Sequence, residues 1–141
     1  MSAAAVRTAL EDLLAESAFA MDDHDYERYA RFFTADATYA VAGEELRGRE
    51  AIVARFTSRA GERTTRHLSS GLRVSERDDG SWEARSIWLS FAAPGRPPID
   101  EVPPYQVADF HDEIVREGDD WLIRSRTITS IFREPRLAPG R

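Results

Sequence analysis

The amino-acid sequence predicts an α+β domain in which a curved, mostly antiparallel sheet wraps around N-terminal helices. In the first part of the chain apolar residues recur at helical spacing, and from about residue 64 they follow strand patterns separated by turn signals. Helices followed by a run of strands are typical of this fold class. At 141 residues the chain is long enough for one proper core. We therefore predict a single domain over residues 1–132 and a C-terminal tail over residues 133–141.

Three helices are predicted ahead of the long strands. The first covers residues 3–22, where apolar residues share one helical face: Val6, Leu10, Leu13, Leu14, Ala18 and Met21. Asp25 is suited to be the N-cap of a short second helix, YERYARFF. TADA then turns the chain into a first strand, TYAVAG, and EELRG is a further turn. A third helix is expected over residues 49–60, with Gly61 as its stop. Its inner face carries Ile52, Val53 and Phe56.

Four strands follow, over residues 64–76, 81–92, 105–117 and 121–132. ERDDGS joins the first two and the tight turn EGDD joins the last two, and both are strong hairpin signals. The connection AAPGRPPIDEVPP, residues 92–104, contains five prolines, too many for a helix or a central strand. Such a loop is either a lid or contact surface, or a plain surface excursion.

Composition excludes several classes of function. The net charge of -6 and the pI near 5.1 argue against a nucleic-acid partner, so the expected ligand is a small molecule that is neutral or is met by a few local arginines. All 19 basic residues are arginine, which excludes lysine Schiff bases, and the lack of cysteine excludes thiolate chemistry, disulfides and cysteine metal sites. Carboxylates, histidines, hydroxyls and arginines remain for chemistry, and we expect no cofactor.

No membrane partner is expected either. No apolar run approaches the roughly 18 residues that span a bilayer, and the Ala-rich start lacks the basic region and long apolar core of a signal peptide. We therefore expect a cytoplasmic protein.

Asp22 is the first candidate for a functional side chain. It lies four residues beyond Ala18 on the helical row Leu10, Leu14, Ala18, so its carboxylate turns toward the edge of the buried face. A half-buried carboxylate is suited to act as a general acid or base. The alternative is a helix-end aspartate that faces water.

His67 is the second candidate. In TTRHLSS, strand alternation places Thr65, His67 and Ser69 on one face, where small polar neighbours leave room for a ligand. An imidazole can transfer a proton near neutral pH. The alternative is a structural histidine. His24 and His111 rank lower, and no pair of histidines has metal-ligand spacing, so no metal site is expected.

Further candidates lie on the predicted strands. Tyr39 is placed to donate a hydrogen bond to a substrate oxygen. Ser86 and Trp88 share a strand face, and they are substrate-binding candidates together with Phe110. The alternative for Trp88 and Phe110 is packing alone.

Arg126 shares strand parity with Leu122, Arg124 and Ile128. It either pairs with Asp112 or another carboxylate structurally, which is the usual form of a buried arginine, or offers a cation to the ligand.

Five short pieces of the chain occur in the order typical of a known family. They are D-x-x-D-Y, F-F-T-A-D-A-T-Y, G-R-E-A-I, T-R-H-L and D-x-W-L-I-R-S-R. Over residues 8–132 the chain resembles the SnoaL-like branch of the nuclear transport factor 2-like superfamily, and also resembles ring-hydroxylating dioxygenase small subunits and, more distantly, scytalone dehydratase. The resemblance implies a cone-shaped α+β barrel with an apolar ligand-binding interior. It also implies a homodimer formed through the outer face of the sheet, or a higher homo-oligomer.

The resemblance also implies roles for residues. Asp22 matches the acidic residue that dehydratase-like members place in the cavity, and His67 matches a cavity histidine that transfers protons. The chain departs from those members at Met21, where they have tyrosine, and in ARSIWLSFAA, which lacks their second histidine. We expect Asp22 and His67 to form an acid/base pair, without the full set of groups that activates water in the dehydratases.

The expected function is that of a small-molecule enzyme of bacterial secondary metabolism. Its reaction is isomerisation, dehydration or cyclisation of a polyketide-, terpenoid- or steroid-like substrate. In one variant, cyclisation results mainly from folding a flexible substrate inside the cone. The alternative from another class is a non-catalytic ligand-binding or scaffold subunit resembling the dioxygenase small subunit.

Overall fold

The computed structural model describes residues 1–59 and 62–137. Its helices are α1 (Ala3–Asp22), α2 (Tyr26–Arg31) and α3 (Arg49–Thr57). Its strands are β1 (Phe33–Val41), β2 (Glu44–Arg47), β3 (Arg63–Glu76), β4 (Trp82–Pro94), β5 (Gln106–Glu117) and β6 (Asp120–Arg133). A short 3-10 helix, Pro135–Leu137, follows. The α+β class predicted from the sequence is confirmed.

The six strands form one curved, open sheet in the order β2-β1-β6-β5-β4-β3. β1 runs parallel to β6, and every other neighbouring pair is antiparallel, as the prediction of a mostly antiparallel sheet requires. β2 and β3 are the two edges, so the sheet does not close on itself. α1 packs against β3, and α2 packs against α3. We call the helix-covered side the inner face and the other side the outer face.

The helices begin where the sequence predicts and two of them end earlier. The carboxylate of Asp25 accepts a hydrogen bond from the backbone N–H of Arg28 at 3.1 Å, so Asp25 is the N-cap of α2. Caps of this kind contribute about 1 kcal/mol. α2 stops early because Phe33 already begins β1. α3 ends at Thr57, while residue 60 and the predicted stop, Gly61, lie outside the described residues.

The first strand is longer than predicted and is followed by a second one. TADA, residues 34–37, is predicted as a turn but lies inside β1, where the register with β6 shifts between Phe33 and Thr38. EELR, also predicted as a turn, is β2 and pairs antiparallel with β1. Because its side chains are mostly exposed, β2 has no hydrophobic alternation from which a strand can be recognised.

A register shift changes the phase of β6. Arg124 has no partner residue on β5, so Ile123 and Arg126 are both buried although they are three residues apart. Arg124 instead reaches carboxylates at the surface. The prediction that Arg126 shares a face with Arg124 is therefore wrong, whereas Ile128 does line the same cavity as Arg126.

The core lies between the helices and the inner face of the sheet. Its larger buried cluster draws on all three helices and on β1, β4, β5 and β6. A smaller cluster joins α1 to β4 and β5 through Leu14, Trp88, Ala108 and Phe110. Within the described part of the chain, no helix is both long and apolar enough to cross a membrane.

Candidate active site

A cavity of about 380 Å³ opens between the helices and the inner face of the sheet. This volume lies within the range of about 300–1,000 Å³ that is typical of small-molecule pockets. The buried part of its wall includes five aromatic residues: Tyr29, Tyr39, Phe56, Trp88 and Phe110. The other buried lining residues are Ser17, Met21, Ser90 and Arg126. We call its exposed lining residues the rim, which consists of Ala42, Ser58, Ser130 and Arg133.

Asp22 and His67 meet where the end of α1 crosses β3. Nδ1 of His67 lies 2.6 Å from Oδ1 of Asp22, and the backbone N–H of His67 donates to Oδ2 at 3.1 Å. The hydroxyl of Thr65 donates to Oδ1 at 2.9 Å. Three groups of β3 therefore hold one carboxylate, and they fix its orientation as well as that of the imidazole.

The two side chains differ in their access to the cavity. His67 lines it, with 23% of its side chain exposed, whereas Asp22 is 9% exposed and lies behind the imidazole. An ionised carboxylate only accepts hydrogen bonds, so the proton of a neutral His67 is assigned to Nδ1. Nε2 has no hydrogen-bond partner within residues 1–59 and 62–137 and is the ring nitrogen available to a ligand. Asp22 is thus placed to orient His67, not to touch the ligand.

The other two histidines lie outside this cavity. His24, in the turn after α1, is exposed and has a φ of 58°. His111 is exposed beside Glu83, with Nε2 3.1 Å from Oε1, on the opposite face from Phe110. Among the residues that the structure describes, no three His, Asp or Glu side chains come together as a metal-binding group.

Arg126 and Asp112 form a fully buried ion pair beside the cavity. Nε and Nη2 of Arg126 donate to the two oxygens of Asp112 at 2.8 and 3.0 Å, and Nη1 donates to the hydroxyl of Tyr29 at 2.9 Å. Burial is the largest influence and disfavours the charge, but Asp112, Tyr29 and Tyr39 together raise the pKa of Arg126 above its ordinary value. The guanidinium also lies over Phe110, 4.9 Å from the ring centroid. Of the two predicted roles, the structural pair is the one this geometry fits.

Hydrogen bonds connect Arg126 through Tyr29 to Tyr39 in the wall of the cavity. The hydroxyl oxygens of Tyr29 and Tyr39 are 2.9 Å apart. Because Tyr29 already accepts a hydrogen bond from Arg126, its own proton is best used by donating to Tyr39. The proton of Tyr39 is then left for a ligand. Burial, followed by the proximity of Tyr29, raises the pKa of Tyr39 well above its ordinary value, so this hydroxyl stays protonated at neutral pH.

The aromatic candidates form one side of the wall, and a serine supports them. Trp88 and Phe110 stack with ring centroids 5.1 Å apart, and both line the cavity. Ser86 does not line it, because its hydroxyl accepts a hydrogen bond from the indole N–H of Trp88 at 2.8 Å. The prediction of Ser86 as a substrate-binding residue is therefore corrected to a support for the Trp88 ring.

The sequence matches one family model over most of its length. The model is described as a SnoaL-like domain, and it matches residues 2–127. The chain belongs to the SnoaL-like family.

Several solved structures have the same fold as this SnoaL-like chain. A protein from Catenulispora acidiphila in complex with S-DNPA is 26% identical, with a TM-score of 0.78 over 90% of this chain and 94% of that one. ActVI-ORFA from Streptomyces coelicolor is 22% identical, with a TM-score of 0.81 over 90% of this chain and 98% of that one. Other neighbours are described as a putative scytalone dehydratase and as an ntf2-like protein with a cystatin-like fold, both from Novosphingobium aromaticivorans. No curated protein sequence matches the chain.

Two residues of this SnoaL-like site are not found by sequence reasoning. Tyr29 is hydrogen-bonded to both Arg126 and Tyr39. In the sequence, its three-residue spacing from Tyr26 in α2 is the one pattern that indicates a ring facing the core. Arg59 follows α3 and lines the cavity, and nothing in the sequence distinguishes it from the other arginines.

Proposed function

We propose that the protein is a cofactor-independent enzyme that moves a proton on a small organic substrate bound in the cavity. The substrate class is polyketide-, terpenoid- or steroid-like, and the reaction is an isomerisation, dehydration or cyclisation. The observation on which the proposal rests is the His67 imidazole, which lines the cavity while Asp22 holds its Nδ1 at 2.6 Å. A nitrogen base with a fixed tautomer and a free lone pair is suited to abstract a proton.

Tyr39 supplies the complementary group. Nε2 of His67 takes a proton from a carbon beside a substrate carbonyl, and the carbonyl oxygen gains negative charge. The hydroxyl of Tyr39, which also lines the cavity, donates a hydrogen bond to that oxygen. Return of the proton to another carbon gives an isomer, loss of a neighbouring hydroxyl as water gives dehydration, and attack by the carbanion carbon on an electrophile within the substrate gives a ring.

The comparisons support a small-molecule substrate. The SnoaL-like family includes cyclases and dehydratases, and the Catenulispora acidiphila neighbour is crystallised with S-DNPA. The cavity of about 380 Å³ has an aromatic wall, which fits a ligand with flat apolar rings.

Proton transfer can be tested on a simple ketone, 2-tetralone, in D₂O. We expect the wild-type protein to exchange the acidic protons at C1 for deuterium faster than buffer alone does. His67→Ala should slow the catalysed exchange by about 100-fold or more, the usual contribution of a positioned general base. ¹H NMR measures the loss of the C1 signal.

His111→Ala is the matched control, because His111 is exposed on the outer face and should leave the exchange rate unchanged. A wild-type rate equal to that of buffer contradicts the proposal. So does a His67→Ala rate equal to that of the wild type.

We also propose a homodimer formed through the outer face of the sheet. Leu68, Leu89, Val107 and Phe132 are partners in register across β3, β4, β5 and β6 and form one apolar row. Leu68 is 51% exposed and Phe132 is 70% exposed. An apolar row across four strands is typical of a covered surface, because isolated exposed apolar residues do not align in this way.

The proposed dimer interface can be tested by measuring the molecular mass of the protein in solution. We expect the wild-type protein to be a dimer by size exclusion with light scattering, and Leu68→Arg combined with Phe132→Arg to yield monomers. Phe19→Arg is the control, because Phe19 is 63% exposed on α1 and lies outside the row. A monomeric wild type, or a double variant that remains dimeric, is the result that rejects this interface.

A further inference from the structure

Arg59 is a cation without a carboxylate at the wall of the cavity. Within residues 1–59 and 62–137, no Asp or Glu oxygen comes within 4.0 Å of its guanidinium. It is partly buried, and burial lowers the pKa of Arg59 from its ordinary value. Removing a charge from water without a partner is unfavourable, so such a residue calls for an explanation.

The neighbours of Arg59 hold the guanidinium in place without neutralising it. Its central carbon lies 4.5 Å from the ring centroid of Phe56, which also lines the cavity. Phe56 packs in turn against Tyr39, with ring centroids 5.9 Å apart. Arg59 also borders a smaller adjacent cavity of about 160 Å³, and no acidic residue lines it in the part of the chain that the structure describes. An aromatic ring attracts a cation and orients it, but leaves the N–H groups of its fork free for an anion.

Two more arginines surround the opening. Arg55 lines the cavity and is paired with Glu44, while its Nε is buried without a hydrogen-bond partner among the described residues. Arg133 belongs to the exposed rim, and no carboxylate pairs with it in the described part of the chain. Among the described residues, the lining therefore contains arginines and no Asp or Glu, although the whole chain has a net charge of -6. The arginines of the lining make this opening locally positive, so it can attract an anion.

We propose that the cavity binds a carboxylate attached to an aromatic or polycyclic body, with the carboxylate held by Arg59. The arginine fork matches a carboxylate in a two-bond geometry, and the aromatic wall accepts the body. A carboxylate is favoured over a phosphate ester because one unpaired, partly buried guanidinium balances a single negative charge. This inference rests on the proposed function in taking the same cavity as the substrate site, and it specifies the substrate class.

Binding of two matched probes tests the proposal by calorimetry. 1-Naphthylacetate carries the carboxylate, and 1-naphthylacetamide has the same body and no charge. We expect the wild-type protein to bind the acetate at least about tenfold more tightly than the amide, the usual effect of a charge-assisted hydrogen bond. Arg59→Gln should remove this preference and leave the affinity for the amide unchanged.

Arg59→Lys separates charge from fork geometry and should retain only part of the preference, because an ammonium group cannot form the paired bonds. Arg96→Gln is the control variant, since Arg96 is 82% exposed, pairs with Glu62 and is not part of the cavity. 1-Naphthyl phosphate is the third probe.

The inference is overturned if the wild type binds the amide as tightly as the acetate, if it binds neither compound, or if Arg59→Gln keeps the preference. Tighter binding of the phosphate than of the acetate also overturns the assignment of a carboxylate. His67→Ala should keep the preference for the acetate, so failure of the proton-exchange test and failure of this one are distinguishable.

Discussion

Replacing Asp112 by alanine is expected to lower the free energy of unfolding by about 3–5 kcal/mol. Both oxygens of Asp112 accept hydrogen bonds from Arg126, and the two side chains are 0% and 1% exposed. The substitution leaves a buried guanidinium with no opposite charge. Urea denaturation at neutral pH measures the effect.

Two further variants separate this loss from a general effect of substitution. Asp119→Ala removes a fully exposed carboxylate and should change the free energy of unfolding by no more than about 0.5 kcal/mol. Asp112→Leu combined with Arg126→Met removes both charges and should be less destabilised than Asp112→Ala. A single variant as stable as the wild type, or a double variant less stable than the single one, would show that the pair is not the source of stability.

Replacing Asp22 by asparagine is expected to slow proton exchange on 2-tetralone by about 100-fold or more. The amide of asparagine is nearly the same size as the carboxylate, but it bears no charge and can donate as well as accept. It no longer requires the proton on Nδ1 of His67, so the ring nitrogen that faces the ligand can become protonated. Long-range ¹H–¹⁵N correlation spectra of ¹⁵N-histidine protein distinguish the two tautomers directly.

Asp23→Asn is the matched control, because Asp23 follows immediately and is exposed. It should change neither the tautomer of His67 nor the exchange rate. If Asp22→Asn leaves the Nδ1–H tautomer dominant and the exchange rate unchanged, Asp22 has a structural role only.

Much of the fold is recoverable from the sequence, since it follows from strong local patterns. The long α1 has an apolar face at helical spacing, turn signals separate β3 from β4 and β5 from β6, and Asp25 caps α2 as its side chain predicts. The errors lie where tertiary pairing overrides local signals. EELR becomes β2 only because β1 provides a partner, and Arg124 leaves its predicted phase because the sheet has a register shift there.

The site is recoverable in part, for a similar reason. Asp22 and His67 are forty-five residues apart, yet helical spacing and strand alternation each turn them toward the interior. Hydrophobic periodicity indicates which face of a helix or strand is buried, but not which side chains form hydrogen bonds between two elements. The contact between Tyr29 on α2 and Tyr39 on β1 therefore cannot be predicted from the sequence. Arg59 is missed because it lies beyond the end of a helix, where the direction of a long side chain depends on its surroundings.

The contact between Asp22 and β3 has a consequence for self-association. β3 is an edge strand, and the backbone N–H of His67 would project from the sheet if Asp22 did not accept its hydrogen bond. Edges with free backbone groups can add a strand from another molecule and start aggregation, and a negative charge at the edge opposes this. One carboxylate thus both sets the tautomer of the imidazole and blocks strand addition. We therefore expect changes at Asp22 to affect the proposed proton transfer and solubility together, and changes of the His67 side chain to leave the edge protected.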